Sequence, residues 1–402
     1  MFWRYEMSVC CGRMTFMSTR LRDGVLRRRL ATQRLTSAPL PRAGDAVRLL
    51  TCVQAQERDH ALFSLSMRSK DVTYSSVRAA LDRGDIVRTH ILRPTWHFVA
   101  PEDLRWILAL TSHRVERSMG ARHRQLGLDD TPLLHRALDL LPELLRGRRY
   151  LTRKEIGAEF AARTGLPESG EQLGHTLLLA ELRGVICSGP VKGKQHSYAL
   201  VDEVVPATRE RDPHEALVEL VRRFFAGHGP ASVKDLTRWS SLTVADTKAA
   251  LADVAADLEH VDVDGTTLWF DPSVPSRTTR RETAFLLPVY DEAVLTYPAL
   301  TFPTAHAHPH ADSNDPFWAP VIVDRGNVGL WKRTVTPTGV RVETRLAPGL
   351  DAMQRKAVRL AAQRMADFLE RELDYVEGEG TPNLWGGEAG HPARRQRRVA
   401  SG

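Results

Sequence analysis

The chain has 402 residues, 42% of them hydrophobic and 26% charged, with a formal net charge of +7 from 56 Lys and Arg against 49 Asp and Glu. One hydrophobic core rarely grows beyond about 250–300 residues, so several domains are expected. No apolar run is long enough to span a bilayer, the first residues lack the apolar core of a signal peptide, and no CxxC pair suggests zinc or a redox couple. A cytoplasmic protein without a metal or cofactor is expected. The basic excess is dominated by arginine, whose planar fork suits phosphate, and leans toward a nucleic-acid partner. The absence of a P-loop or a GxSxG elbow removes the common ATPase and hydrolase readings.

Residues 1–16 show no periodicity and read as a disordered extension, with Met14 and Met17 as candidate starts. Over 22–35, Val25, Leu26, Leu30 and Leu35 fit a helix that is otherwise strongly basic. A second helix is expected over 44–53, ending at Gln54-Ala55-Gln56, and a third over 71–82. Two β-like runs, 86–92 and 95–100, flank Arg93-Pro94 as a turn, and Pro101 opens a long helix to about Gly120. The pattern recurs with helices at 131–146, 152–162 (from a Thr-x-x-Glu capping box) and 170–183, then a hairpin, 184–188 and 196–200, around a loop carrying Lys192 and Lys194. A third set has helices at 213–226, 232–236 and 243–254, then a hairpin over Asp264-Gly265, the strongest short-range hairpin signal in the chain. Helices followed by a hairpin describe a winged helix, so three such units in tandem are expected.

Beyond Pro275 the texture is strand-rich: 285–290, 320–324, 327–333 around Arg325-Gly326, and 339–346. A helix over about 350–371 closes this part, and the Gly/Pro/Arg-rich end from Gly378 reads as a disordered basic tail. The fold class is α+β, mainly α. The expected divisions are 1–16, 17–128, 129–208, 209–275, 276–377 and 378–402.

Gln54 and Gln56 draw attention because side chains at i and i+2 share one side of an extended chain. Each amide offers a carbonyl acceptor and two N–H donors, and neither ionises, so such a pair can hold a water or a polar substrate edge at any pH. The spacing alone is also that of an ordinary surface loop. His306, His308 and His310 alternate like metal ligands but sit in a Pro/Ala-rich loop, and no metal site is expected there. Asp291-Glu292 reads as a structural polar turn, and Trp96 as core.

Several of these stretches resemble one known family. Gln54-Ala55-Gln56, Thr95-Trp96-His97 with Glu102-Asp103-Leu104, Leu287-Pro288-Val289-Tyr290-Asp291-Glu292 and the 323–333 hairpin are similar to the AlkZ/YcaQ-like winged-helix DNA glycosylases. The resemblance covers roughly 20–375. It implies three winged-helix units and a C-terminal β-rich domain in a C-shape around duplex DNA. It also implies excision of N7-alkylated purines, including interstrand crosslinks, with Gln54 and Gln56 as the catalytic pair. Arg93, His97, Lys192 and Lys194 are the expected DNA-contacting residues of a monomeric, nucleoid-associated, monofunctional glycosylase. The alternative is a non-catalytic winged-helix regulator, which would not need the glutamine pair. A third reading, a scaffold using the C-terminal domain to bind protein, predicts no salt-sensitive DNA affinity.

Overall fold

The computed structural model describes residues 19–274, 277–279, 283–298, 300–303 and 318–378. The chain is helical over 19–32 (α1); α2 (Ala43–Leu50) then leads into a short strand, β1 (Cys52–Gln54). The helix expected to reach Val53 stops at Leu50, because Thr51 takes a φ of 65°, a left-handed conformation that helices do not continue through. Next come α3 (Arg58–Arg68) and α4 (Tyr74–Arg83), the latter started by a reciprocal capping box at Thr73 and stopped by left-handed Gly84. In the hairpin of β2 (Val87–Ile91) and β3 (Arg93–Val99) the chain reverses at Leu92, with φ 63°, so Arg93 belongs to the strand and not to the turn. The sheet order β1-β3-β2 makes β3 central and sets His97 between Gln54 and Thr89.

The second set contains α5 (Pro101–Ser118), α6 (Gly120–Gln125), α7 (Pro132–Leu145), β4 (Leu151–Thr152), α8 (Arg153–Arg163) and α9 (Glu171–Leu182). Its strands β5 (Ile186–Ser188) and β6 (Ser197–Leu200) pair in the order β4-β6-β5. The third set is α10 (Val201–Val204), α11 (Pro213–His228), α12 (Val233–Ser240) and α13 (Val244–Val254), followed by β7 (Glu259–Val263) and β8 (Thr266–Phe270). Asp264 and Gly265 turn that hairpin with φ of 50° and 75°, as a type I′ turn requires. α11 lies against α2 so closely that a Cβ on Gly227 would stand 2.2 Å from the Leu49 carbonyl oxygen.

The remainder is β9 (Ala284–Leu286), α14 (Glu292–Leu295), β10 (Ala319–Val323), β11 (Gly326–Val335), β12 (Gly339–Leu346), α15 (Ala352–Leu369) and β13 (Glu372–Gly378). They form a sheet in the order β13-β12-β11-β10-β9, antiparallel except for β12 and β13, which α15 connects as a parallel crossover. Gly378, expected to begin a disordered tail, is instead the last residue of β13 and lies beside Arg345. The rest of the tail, the 1–16 extension and His306, His308 and His310 lie outside the described residues.

The fold is a mixed α/β one, about half helical. One hydrophobic core joins α2–α4 to the C-terminal sheet and α15: Phe63 sits 6.2 Å from the Trp331 ring and 5.5 Å from Phe368. A second core joins β2, β3 and α5 to α11–α13, and a third is formed mainly by α7–α9 with β4–β6. The strand carrying Gln54 therefore sits where the first two cores meet, Val53 in one and Cys52 in the other. Among the described residues no helix is long and apolar enough to cross a membrane.

Candidate active site

β1 is buried throughout, and its ladder continues one residue further, the Ala55 N–H donating to the Trp96 carbonyl at 2.7 Å. Gln54 and Gln56 therefore stand on extended chain and lean the same way, toward β3. Gln54 is 8% exposed; Gln56 is exposed. The Arg93 Nη2 donates to Gln54 Oε1 at 2.9 Å, and the Trp96 backbone N–H donates to Gln56 Oε1 at 3.3 Å. Guanidinium and backbone N–H groups only donate, so each amide must turn its carbonyl oxygen to β3. The pair is thus not two bare carbonyls. Each oxygen keeps one lone pair for a ligand, and each amide keeps its N–H donors.

Behind the strand lies a buried carboxylate. Glu292 Oε1 accepts the Gln54 backbone N–H at 2.9 Å, while Oε2 accepts Trp239 Nε1 at 3.1 Å and Thr296 Oγ1 at 2.9 Å. Burial raises its carboxyl above the ordinary range, and the nearby Arg93 charge opposes that shift. Its neighbour Asp291 caps α14 and meets Arg68 through two oxygens at 2.7 and 2.9 Å, both side chains fully buried. Burial alone would raise Asp291, but the Arg68 charge and hydrogen bonds prevail and hold it below the usual range. Asp291-Glu292 is a polar turn as expected, and it also ties the glutamine strand to α12 and α14.

The expected DNA contact at His97 is corrected by burial. Its side chain has no exposed surface; Nδ1 faces the Thr95 carbonyl at 2.8 Å and Nε2 faces Arg93 at 3.2 Å, so no ring nitrogen remains for phosphate. Burial, with Arg93 adding to it, pushes the ring well below the ordinary histidine range, and it is neutral. Arg93 points at Gln54 and His97. Trp96 is half-buried and packs against the third core: its ring lies 4.2 Å from His90 and 4.6 Å from His196, with the Arg88 guanidinium 4.2 Å over its face. Arg88 also donates to the Ala55 carbonyl at 3.0 and 3.1 Å, bracing the residue between the glutamines.

Beyond Gln56 opens a cleft of about 430 Å³ lined by Glu57, Arg58, Asp59, His60, Arg88, Lys194, His196 and Arg333. Four cations face two carboxylates there. Burial raises Glu57 and lowers Arg333 relative to their ordinary values. Lys194 reaches this cleft from the β5–β6 loop, which Arg78 holds at the Gly193 carbonyl (2.9 Å). Lys192, on the same loop, pairs instead with Glu155 at 3.4 Å. Among the described residues no group of three or more His, Cys, Asp or Glu is arranged to hold a metal. A larger cavity, about 950 Å³, lies between α5, α11 and the 207–213 segment and is lined by none of the expected site residues.

A family model described as DNA glycosylase AlkZ-like matches residues 47–368. The chain belongs to the AlkZ-like DNA glycosylase family. An interstrand DNA cross-link repair glycosylase of Streptomyces sahachiroi is 27% identical over 250 residues, a match spanning 59% of this chain and 66% of that protein. The solved structure of the Streptomyces sahachiroi DNA glycosylase AlkZ superposes with a TM-score of 0.68 at 23% identity, covering 89% of this chain and 99% of that one. At that identity the likeness carries the fold. Within the AlkZ-like chain described here, sequence reasoning missed Arg88, Glu292 and Arg333. Arg88 could have been found as an inward position of the first hairpin; Glu292 is brought to the site by a hydrogen bond across 238 positions, and Arg333 by the tertiary packing that lines the cleft.

Proposed function

We propose that the protein is a monofunctional DNA glycosylase that hydrolyses the N-glycosidic bond of N7-alkylated purines, including those in interstrand crosslinks. In this reading the three helix-and-hairpin sets are tandem winged helices, which with the C-terminal β-domain curve around duplex DNA. The observation that supports it best is the pair of neutral amides, both held from β3, with a cation-lined cleft that begins at the next residue, Glu57. An N7-alkylated guanine is already cationic, so it leaves without a general acid. What remains is an oxocarbenium-like sugar and the water that captures it. A water that accepts from one amide N–H and donates to the free lone pair of a carbonyl oxygen is directed toward the sugar, a preorganised electrostatic effect. Arg58, Lys194 and Arg333 would face the phosphates. A crosslinked base is too bulky to be fully flipped into a tight pocket, and an open cleft suits it.

The test is incubation with a duplex carrying a single N7-methylguanine, followed by detection of the free base and of the abasic strand. The expected result is free base with the strand left intact at the abasic site. Tight, salt-sensitive DNA binding with no base released would overturn the reading in favour of a non-catalytic binder.

A further inference from the structure

We infer that Arg93 is a positioning residue, which fixes the direction of the Gln54 amide and touches neither DNA nor the reacting atoms. This rests on the catalytic reading of the glutamine pair and adds the group that orients one of its members. From the sequence Arg93 reads as a phosphate contact beside a turn. In the structure it is the first residue of β3, and its Nη2 donates to Gln54 Oε1 at 2.9 Å.

The geometry leaves this contact little freedom. The same Nη2 faces His97 Nε2 at 3.2 Å, and His97 Nδ1 faces the Thr95 carbonyl at 2.8 Å. A carbonyl only accepts, so Nδ1 carries the ring proton and Nε2 is left as an acceptor for the guanidinium. The fully buried imidazole thus has one tautomer, and it steers Arg93 onto Gln54. Burial lowers Arg93 from its ordinary value and the Glu292 charge opposes that shift, so the carboxylate supports the cation from behind. Glu292 in turn takes the Gln54 backbone N–H. Gln54 is therefore gripped at both ends, main chain by an acid and side chain by a base. Rotation of its amide by half a turn would put N–H against N–H. The atoms left for a ligand are consequently the amide nitrogen and the second lone pair of the oxygen.

The experiment is a double-mutant cycle of Arg93→Met and Gln54→Ala, reading the single-turnover excision rate on N7-methylguanine duplex and the salt dependence of duplex affinity. A misplaced catalytic group costs on the order of 10²-fold in rate. The expected result is a loss of that size in Arg93→Met, an unchanged salt slope, and no further loss when Arg93→Met is added to Gln54→Ala. A phosphate contact would instead lower the log–log salt slope by about 0.9 and lose rate or affinity equally in both backgrounds; either outcome overturns the proposal, as does a wild-type rate in Arg93→Met. If Arg93→Met does not fold, Arg93→Lys keeps the charge while losing the fork, and the rate and non-additivity criteria apply to it; a retained charge leaves the salt slope unchanged under either reading. Full activity in Gln54→Ala would defeat the glutamine reading itself; a loss in Gln54→Ala with none in Arg93→Met defeats only the role given to Arg93.

Discussion

Replacing Gln56 by Ala separates chemistry from folding better than any other change at the site. Gln56 is exposed, and its side chain makes one hydrogen bond, the 3.3 Å contact from the Trp96 N–H. That N–H is at the surface and water can replace the amide, so stability should move by no more than about 0.5 kcal/mol, typical of exposed positions. For a chain of this size that is a melting-temperature change of under about 2 °C. The proposed role asks much more of the residue: losing one preorganised group of this kind costs about 10²-fold or more in rate. Gln54→Ala is the informative contrast. It removes the acceptor of a charged, part-buried hydrogen bond, which costs about 1.5–3 kcal/mol in addition to the rate. The two variants should therefore share a rate loss and differ in stability. Single-turnover excision on N7-methylguanine duplex and thermal denaturation, run on the same preparations, measure both. If the two amides hold one water, the double variant is hardly slower than either single one. A wild-type rate in Gln56→Ala, or losses that only follow melting temperature, would refute the reasoning.

Asp291→Asn leaves the fully buried Arg68 charge without its counter-ion and should cost about 3–5 kcal/mol, read from the urea midpoint. Acid should weaken the fold through buried histidines: burial pushes His228 down to about 3 and His60 to about 4, so both are neutral in the fold, while the unfolded chain takes up protons near 6.5. Their stabilisation is complete above about pH 6.5 and is lost as pH falls toward 4 and 3, with a slope of up to about 1.4 kcal/mol per unit for each group. Denaturant titrations at pH 7, 5.5 and 4.5 check this, and His228→Gln, if it folds, should flatten the slope. Asp291, held below 3.8, contributes above that value and loses its share only at lower pH, so it does not affect titrations at pH 4.5 and above. Lys194→Ala should lower the log–log salt slope of DNA affinity by about 0.9, as for one lost phosphate contact, whereas Lys192→Ala, whose amine already pairs with Glu155, should change it less.

What the sequence made legible was local. The helix periods, the capping box at Thr152 and the Asp264-Gly265 turn each depend on residues within a few positions of one another. β1 and β4 were not legible, because strands of three and two residues carry no periodicity and β1 continues the apolar run of α2. β13 was hidden because an edge strand with exposed Glu372, Asp374 and Glu377 carries too little apolar alternation to announce itself between the expected closing helix and the expected tail; only Leu373 and Tyr375 turn partly inward. His97 and Arg93 were identified as site residues from a hairpin, yet their direction depends on β1 pairing with β3, which no local pattern announces. The link from Glu292 to Gln54 spans 238 positions and is purely tertiary.

The charges of this site are arranged around the glutamine pair, and the arrangement bears on which substrate it suits. Glu292 is fully buried with both oxygens occupied by Gln54, Trp239 and Thr296, so it is in no position to take a proton from water in the cleft. Arg93 is turned onto Gln54 and His97, and His97 is neutral. The carboxylate and the guanidinium thus hold Gln54 by its main chain and its side chain, and the pair they support consists of amides that do not ionise. In the proposed reaction such a pair can aim a water but cannot strongly deprotonate it. A glycosidic bond already weakened by a cationic purine needs only the aiming, since the electrophile itself draws the water in. An intact nucleotide, whose base must be protonated to leave, finds no general acid in the glutamine pair; the carboxylates of Glu57 and Asp59 stand in the cleft beyond it. Selectivity for the alkylated base then follows, in the proposed reaction, from what the glutamine pair withholds as much as from what it presents, while the cations of the cleft beyond Gln56 supply affinity.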